Sequence, residues 1–293
     1  MPLLESRIEP EYSSTKALLA SDDSTNLVAR VIETGVVRIN NVVSDEMAAE
    51  LRSLILRELE NAKSEAAKSE ETSGSEQFSR VLSSENRWDF RLQMFPEVER
   101  ALHSLLAPGS AVGDLLSQLV LPDGKLFELG AFVTINGAER QDLHPDTKWS
   151  EIPAIYTCLF ALQDISADMG PTIFFPGTQN KEPVYNAPAS DSETSAQELE
   201  GASVPFVLAT LSCGDAAVYD SRTLHCGGGN SSSTERVIFY FSFTNAAGPL
   251  ATQKDFWNVT SIRPEYVDRF RLADFRHPTS AAAPAPAAAS DSS

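Results

Sequence analysis

The stretch Pro122-Asp-Gly-Lys-Leu126-Phe-Glu-Leu-Gly-Ala-Phe-Val-Thr-Ile135 marks the point where the chain changes character. Pro-Asp-Gly is a turn signal, and the run after it is apolar and β-prone. Downstream, Ala154 to Leu162, Thr172 to Phe175, Val204 to Leu211, Ala216 to Tyr219 and Arg236 to Phe243 repeat the pattern between clusters of Gly, Pro and Asn. Short strands after a helical section predict an α+β fold with a mainly β core. Its helices, from the N-terminal section, are expected to pack on one sheet of a barrel-like, double-sheet jelly roll.

Upstream, Thr34-Gly-Val-Val-Arg-Ile39 reads as a short strand after a helix. Ser44 is placed to cap a long helix with Met47, Leu51, Leu54, Ile55 and Leu59 on one face. From Lys63 to about Gln77 the apolar periodicity stops, which predicts a mobile excursion. Two further helices are expected over Pro96 to Leu106 and Ser110 to Leu121. The acidic, Ser/Ala-rich stretch Glu182 to Ser203 falls between two strands and is either a lid or a solvated insertion. The expected organisation is a flexible N-terminus (1–25), one domain (26–276) and a disordered Ala/Pro/Ser tail (277–293). Within the domain, 26–121 is mainly helical, 122–245 forms the jelly-roll core and 246–276 is a C-terminal extension.

A chain of 293 residues, 42% hydrophobic, is long enough to bury a sizeable core. Its 41 acidic against 23 basic residues give a net charge of -18, which disfavours nucleic acid and anionic membranes as partners. A small anionic substrate stays compatible, because a few local cations can hold it inside a pocket. The N-terminus has no signal-peptide pattern and no run is long enough to span a bilayer, so a soluble, cytoplasmic protein is expected. Cys158, Cys213 and Cys226 are odd in number and widely spaced, indicating neither a disulfide framework nor a thiolate metal site. The sequence sets no oligomeric state.

His144-Pro-Asp146 follows the strand that opened this reading, and its i, i+2 spacing at a strand end lets one imidazole and one carboxylate face the same way. His225, just after Ala216 to Tyr219, supplies a third ligand. Two imidazoles and a carboxylate leave about three octahedral positions open, the arrangement non-haem Fe(II) oxygenases use for a bidentate oxoacid and dioxygen. His-x-Asp is common by chance, and a surface His beside an Asp is the alternative. Arg236, eleven residues beyond His225, adds weight: an Arg within a buried strand needs an anionic partner. The distal carboxylate of 2-oxoglutarate would satisfy it, as would a core Asp.

The ordered set resembles the phytanoyl-CoA dioxygenase-like (PhyH) family of Fe(II)/2-oxoglutarate-dependent oxygenases. It comprises Leu143-His-Pro-Asp146, the turn from Leu162 through Gly170-Pro-Thr-Ile-Phe-Phe-Pro176-Gly-Thr, Gly214-Asp215, His225-Cys-Gly-Gly-Gly-Asn230, Arg236 and the entry segment Gly35-Val-Val-Arg-Ile. The resemblance implies a double-stranded β-helix of cupin-like type, with His144, Asp146 and His225 as iron ligands. It implies Arg236 as the 2-oxoglutarate clamp, and Gln141 and Thr172 as further contacts to that cosubstrate. For the last two, an exposed turn Gln and a β-prone Thr are the plain alternatives. One position departs from the family: Gln179 stands where a His is usual.

The implied activity is oxidation of an unactivated C–H bond of a small molecule, hydroxylation by default, with 2-oxoglutarate and O2 converted to succinate and CO2. Asp146 disfavours halogenation, since related halogenases carry a small residue there. Oxidative cyclisation or desaturation in specialised metabolism is an alternative outcome, a kainoid-type, amino-acid-derived substrate being one example. A vestigial binding protein and a zinc hydrolase are alternatives of other classes. Candidate pocket residues are Arg87, Trp88 and Phe90 in one cluster, Lys148 and Trp149 beside Asp146, Arg222, and Trp257. Packing for the aromatic residues and solvated charge for the cations compete with those roles.

Overall fold

The computed structural model describes residues 16–17, 26–68, 85–180, 205–251 and 262–276. Trp257, most of the N-terminal segment 1–25, the insertion 182–203 and the tail 277–293 lie outside them. Among the described residues no helix is long and apolar enough to cross a membrane.

In chain order the elements are β1 (Lys16–Ala17), α1 (Leu27–Thr34), β2 (Val36–Ile39), α2 (Asp45–Lys68), β3 (Arg87–Arg91), α3 (Pro96–Leu106), α4 (Ala111–Leu119), β4 (Leu126–Thr134), β5 (Ile155–Ala161), β6 (Thr172–Phe174), β7 (Val207–Leu208), β8 (Ala216–Asp220), β9 (His225–Gly227), β10 (Arg236–Thr244) and α5 (Leu272–Arg276). Local chemistry sets the helix ends. Ser44 Oγ accepts from the Met47 amide at the start of α2, with Asp45 and Glu46 in the first turn. Pro96 opens α3, and Ser110 Oγ accepts from the Gly113 amide to cap α4. Gly35 ends α1 in the left-handed conformation at φ 82, its amide donating to Val31 O.

The strands form two sheets, six-stranded in the order β2-β8-β5-β10-β4-β3 and four-stranded in the order β1-β7-β6-β9. Apart from β1 on β7, every pairing is antiparallel. The double-sheet arrangement matches the expectation, but the two sheets stay separate and no closed barrel forms among the described residues. Strand β10 lies between β5 and β4, and all nine of its residues are buried because it is covered on both faces. On one face Val237, Phe239, Phe241 and Phe243 join Val133, Leu129, Phe160 and Val218 in a core shared with α1 to α5. On the other, Ile238 and Tyr240 pack with Leu159, Ala217, Tyr219 and Phe174 between the sheets. Among the described residues the helices therefore cover one of the two sheets, as expected.

Three elements differ from the sequence reading. Helix α2 runs on through Lys63 to Lys68, into the segment expected to be mobile, because its Ala, Glu and Lys are strong helix formers even without an apolar stripe. Of the strand expected over Val204 to Leu211, the described residues are regular only at Val207–Leu208, and Val204 lies outside them. Residues 87–91, read as a pocket cluster, form edge strand β3.

Candidate metal centre

The segment after β4 turns through Gly137 and runs back along β9. Ala138 bridges to Asn230, the Gln141 amide donates to Gly227 O, and His144 and His225 exchange both backbone bonds at 3.0 and 2.9 Å. Two residues on, the Asp146 amide donates to Ser221 O at 2.8 Å, and the Thr147 and Ser221 hydroxyls share a bond of 2.7 Å. Backbone pairing thus delivers His144, Asp146 and His225 to one place. Their ligating atoms all lie within 4.8 Å of one another.

Each imidazole is fixed through its other nitrogen. His144 Nδ1 sits 2.7 Å from Asp142 O and His225 Nδ1 2.9 Å from Thr223 O, so both rings donate there and turn Nε2 toward the centre. Asp146 Oδ1 is 3.9 Å from His144 Nε2 and 3.4 Å from His225 Nε2, while its Oδ2 accepts from the Tyr219 hydroxyl at 2.8 Å. Burial pushes the Asp146 pKa up, but the His225 charge and hydrogen bond, His144 and the Tyr219 hydroxyl outweigh it and hold the carboxyl at about 2. Burial and the neighbouring His225 lower the His144 pKa. Burial also acts to lower that of His225, but Asp146 outweighs it and the net shift is upward. A neutral imidazole, a fixed carboxylate and an imidazole held against it make a mixed N,O donor set suited to one divalent transition metal.

A second polar group lies on the same inner face. Thr134 of β4 is flanked in register by Arg87 of β3 and Arg236 of β10, and the three alternate with Val133, Trp88 and Val237, which face the helices. Arg236, 3% exposed, donates to Gly170 O and, at 3.2 Å, to Thr134 Oγ1. Arg87, also 3% exposed, donates to Glu139 O and Gly228 O at 2.9 and 2.8 Å. Among the described residues no carboxylate pairs with either guanidinium, and the Nε of each has no partner. The core Asp that would have made Arg236 a structural ion pair is absent from this set. Burial, with Arg87 alongside, lowers the Arg236 pKa to about 9, and burial lowers that of Arg87 to about 10. Leaving such cations unpaired costs several kcal/mol each, so the arrangement calls for an anion.

Thr172 pairs in register with Gly227 and Phe174 with His225, which puts the Thr172 position on the inward face of β6 together with the triad. Gln141 Oε1 accepts from the Gly227 amide at 2.9 Å. A Cβ on Gly227 would stand 2.5 Å from both Gln141 Oε1 and Arg87 Nη1, so only glycine leaves room for them. Thr172, Gln141, Arg87 and Arg236 therefore surround one end of the space between the sheets.

The remaining candidates are not gathered there. Trp88 and Phe90 pack on the helix side of β3, with Lys63 Nζ 4.0 Å from the centre of the Trp88 ring. Arg222 is committed to Asp220, at 2.6 Å, and to the Ser150 and Glu151 carbonyls. Trp149 donates to Gln179 O at 3.2 Å, and Lys148 is exposed. For Trp88, Phe90 and Arg222 the expected role in the pocket wall has no support in this placement. Gln179, the departure from the family pattern, is fully buried and donates through Nε2 to Ile32 O and Glu33 O, both at 3.1 Å, closing the end of α1 rather than entering the site. Tyr219 was not anticipated, although its place two residues before Ser221 on a β-rich run was visible.

Comparison with known proteins agrees with this geometry. The profile of the Phytanoyl-CoA dioxygenase (PhyH) family matches residues 32–238. Among solved structures, the epimerase SnoN, in complex with Fe3+, alpha ketoglutarate and nogalamycin RO, is 21% identical at a TM-score of 0.56, with 76% of this chain and 84% of that chain covered. AviO1 from Streptomyces viridochromogenes Tue57 is 18% identical at a TM-score of 0.54, covering 79% and 99%. The alpha ketoglutarate dependent carbocyclase SnoK from nogalamycin biosynthesis is 16% identical at 0.53, covering 79% and 87%. At these identities the likeness is one of fold. No curated protein sequence gives a significant match. The matched span runs from within α1 to the start of β10 and takes in every residue of the triad and of the buried arginine row, and the chain belongs to the phytanoyl-CoA dioxygenase family of iron- and 2-oxoglutarate-dependent enzymes.

Proposed function

We propose that this protein is an Fe(II)/2-oxoglutarate-dependent oxygenase that oxidises an unactivated C–H bond of a small molecule, hydroxylation being the default outcome. The observation that carries the reading is the coexistence, between the same two sheets, of the His144, Asp146 and His225 donor set with a buried Arg236 that has no carboxylate partner among the described residues. When bound, iron would activate O2, the oxidant, with 2-oxoglutarate as two-electron reductant; the oxoacid would leave as succinate and CO2, one oxygen atom of O2 going into succinate and the other to oxidation of the substrate. The chain's own part is to hold and orient. Asp142 O and Thr223 O keep both imidazoles in the ligating tautomer. Tyr219 restrains one oxygen of Asp146, leaving the other turned toward the histidines.

Arg236 takes the distal carboxylate of the oxoacid, with Thr172 and Gln141 as further contacts. The apolar wall of Leu159, Ile238, Phe174 and Phe132 keeps water from the space between. Asp146 occupies the position that a halogenase leaves open, which argues for oxygen insertion or hydrogen removal.

The structural relatives named as an epimerase and a carbocyclase support a second reading, in which the same hydrogen removal ends in stereoinversion or ring closure in specialised metabolism. Anaerobic addition of 2-oxoglutarate to the Fe(II)-loaded protein should raise a weak visible charge-transfer band. Arg236→Ala should weaken oxoacid binding by more than about tenfold while leaving iron affinity near the wild-type value. No band in the wild type, together with no succinate from any substrate tested, would sink the reading. Equal loss of iron and oxoacid in the variant would make Arg236 structural.

A further inference from the structure

One row of the large sheet's inner face is polar across four strands. Tyr219 of β8 pairs in register with Thr157 of β5, Thr157 with Ser242 of β10, and Ser242 with Glu128 of β4. The next two rows toward Arg236, Leu159 with Tyr240 and Ala161 with Ile238, pack as apolar core between the sheets. The polar row begins at the metal centre, where the Tyr219 hydroxyl bonds Asp146, and it ends on a carboxylate. Ser242 Oγ donates to Glu128 Oε2 at 2.8 Å, and the Glu128 charge reaches both Tyr219 and His225.

Arg91 stands on the same face, one strand further out. It alternates with Phe90 and Leu92, which face the helices, and it pairs with Gly130, two residues along β4 from Glu128. Among the described residues Arg91 forms no ion pair or hydrogen bond, and its Nε is buried. Asp89, two residues before it on that face, accepts from the Tyr240 hydroxyl at 2.6 Å instead. Tyr240 crosses Gly130 to reach Asp89, since a Cβ on Gly130 would stand 2.7 Å from Tyr240 Oη, and Phe132 stacks on the tyrosine ring at 4.3 Å. A guanidinium with a buried, unbonded nitrogen is costly, and it lies beside stacked rings and a carboxylate held by Ser242.

We propose that Glu128 and Arg91 read a zwitterionic substrate of amino-acid type, Glu128 taking its ammonium group on the metal side and Arg91 its carboxylate further out. The assignment rests on the oxygenase reading above and adds to it the class of substrate. A carboxylate fixed by Ser242 suits the N–H donors of an ammonium, and the planar fork of Arg91 suits a carboxylate. The two positions are diagonal neighbours across β3 and β4, where backbones stand about 7–8 Å apart. Two long side chains starting there can meet groups that a single carbon separates, as in an α-amino acid.

The common L-amino acids are added one at a time to protein loaded anaerobically with Fe(II) and 2-oxoglutarate, and binding is read as a shift of the visible band. At least one should bind. For the tightest, the amine that lacks its carboxylate and the acid that lacks its amino group should each bind at least about tenfold more weakly. Arg91→Gln should weaken the amino acid by a similar factor and leave the amine unchanged. Glu128→Gln should weaken it likewise and leave the acid unchanged. The assignment is overturned by no shift with any amino acid, by an analogue that binds as tightly, or by variants with wild-type affinity. A loss shared by the amino acid and both analogues would make the residue structural and overturn it too. In each of these cases the band itself leaves the oxygenase reading standing, whereas no band in the wild type removes both. Should a variant not fold, Arg91→Lys or Glu128→Asp replaces it: a loss of a few-fold for the amino acid alone supports the assignment, and wild-type affinity overturns it.

Discussion

Asp146 is the ligand most dependent on its neighbours. It sits at a mouth where a third of its side chain is accessible, and the Tyr219 hydroxyl is what restrains the oxygen that does not face the histidines. Tyr219→Phe keeps the ring contacts with Phe174 and His225, at 5.1 and 4.9 Å between centroids, and removes only that bond. Fe(II) affinity should fall about tenfold, as expected for loss of a ligand-orienting partner. Anaerobic calorimetry of the variant checks this, and an unchanged affinity would mean that the backbone bonds of Asp146 orient it alone. The grouping of His144, Asp146 and His225 was legible because two of the three are close in sequence and the third precedes a buried Arg by a set spacing. Arg87 was not, since its side is decided by register: one residue along, Trp88 faces the helices. Gln179 was equally opaque, because its partners Ile32 O and Glu33 O lie 147 and 146 residues away in the chain.

Elements close this site from a distance, and the turn from α1 to β2 shows how. Gly35 has φ 82, and a Cβ there would stand 2.5 Å from Gln179 Oε1 and would also strike Thr223, whose carbonyl holds the His225 ring. Gly35→Ala should destabilise the protein by about 2–4 kcal/mol, from left-handed strain plus overpacking, and chemical denaturation measures it. A loss below about 1 kcal/mol would show that the turn relaxes freely. Long strands such as β4, β5 and β10 were readable from their runs of apolar residues. Strand β3 also carries a signal in the alternation Arg-Trp-Asp-Phe-Arg, but its polar face reads as a surface when it turns toward the space between the sheets instead. The end of α2 is hidden for the opposite reason: a helix that rests on residue propensity alone has no apolar stripe to reveal it.

At the scale of the molecule, the site stitches the two sheets. Asp146 is bonded to Tyr219 of the large sheet, and His144 and His225 belong to the edge of the small one, so a bound ion joins layers that are otherwise linked by packing between them. Iron at a hundredfold excess over its Kd should add about 2.7 kcal/mol of stability, a rise in Tm on the order of 5–10 °C, and a chelator should reverse it. Calorimetric scans with and without Fe(II) under anaerobic conditions test this, and an unchanged Tm would mean that the metal does not couple to folding. The net charge of -18 and the family fold were both legible at this scale, whereas the pairing that makes the metal a bridge was not, because it depends on contacts between residues far apart in sequence. The reciprocal bonds between His144 and His225 have one more consequence. The two ligands cannot part unless those amides open to solvent, so the rate at which their N–H groups trade for deuterium becomes a clock for site opening. Loading with metal should slow that exchange at both positions by the same factor, while amides in α2, remote from the edge, keep their pace.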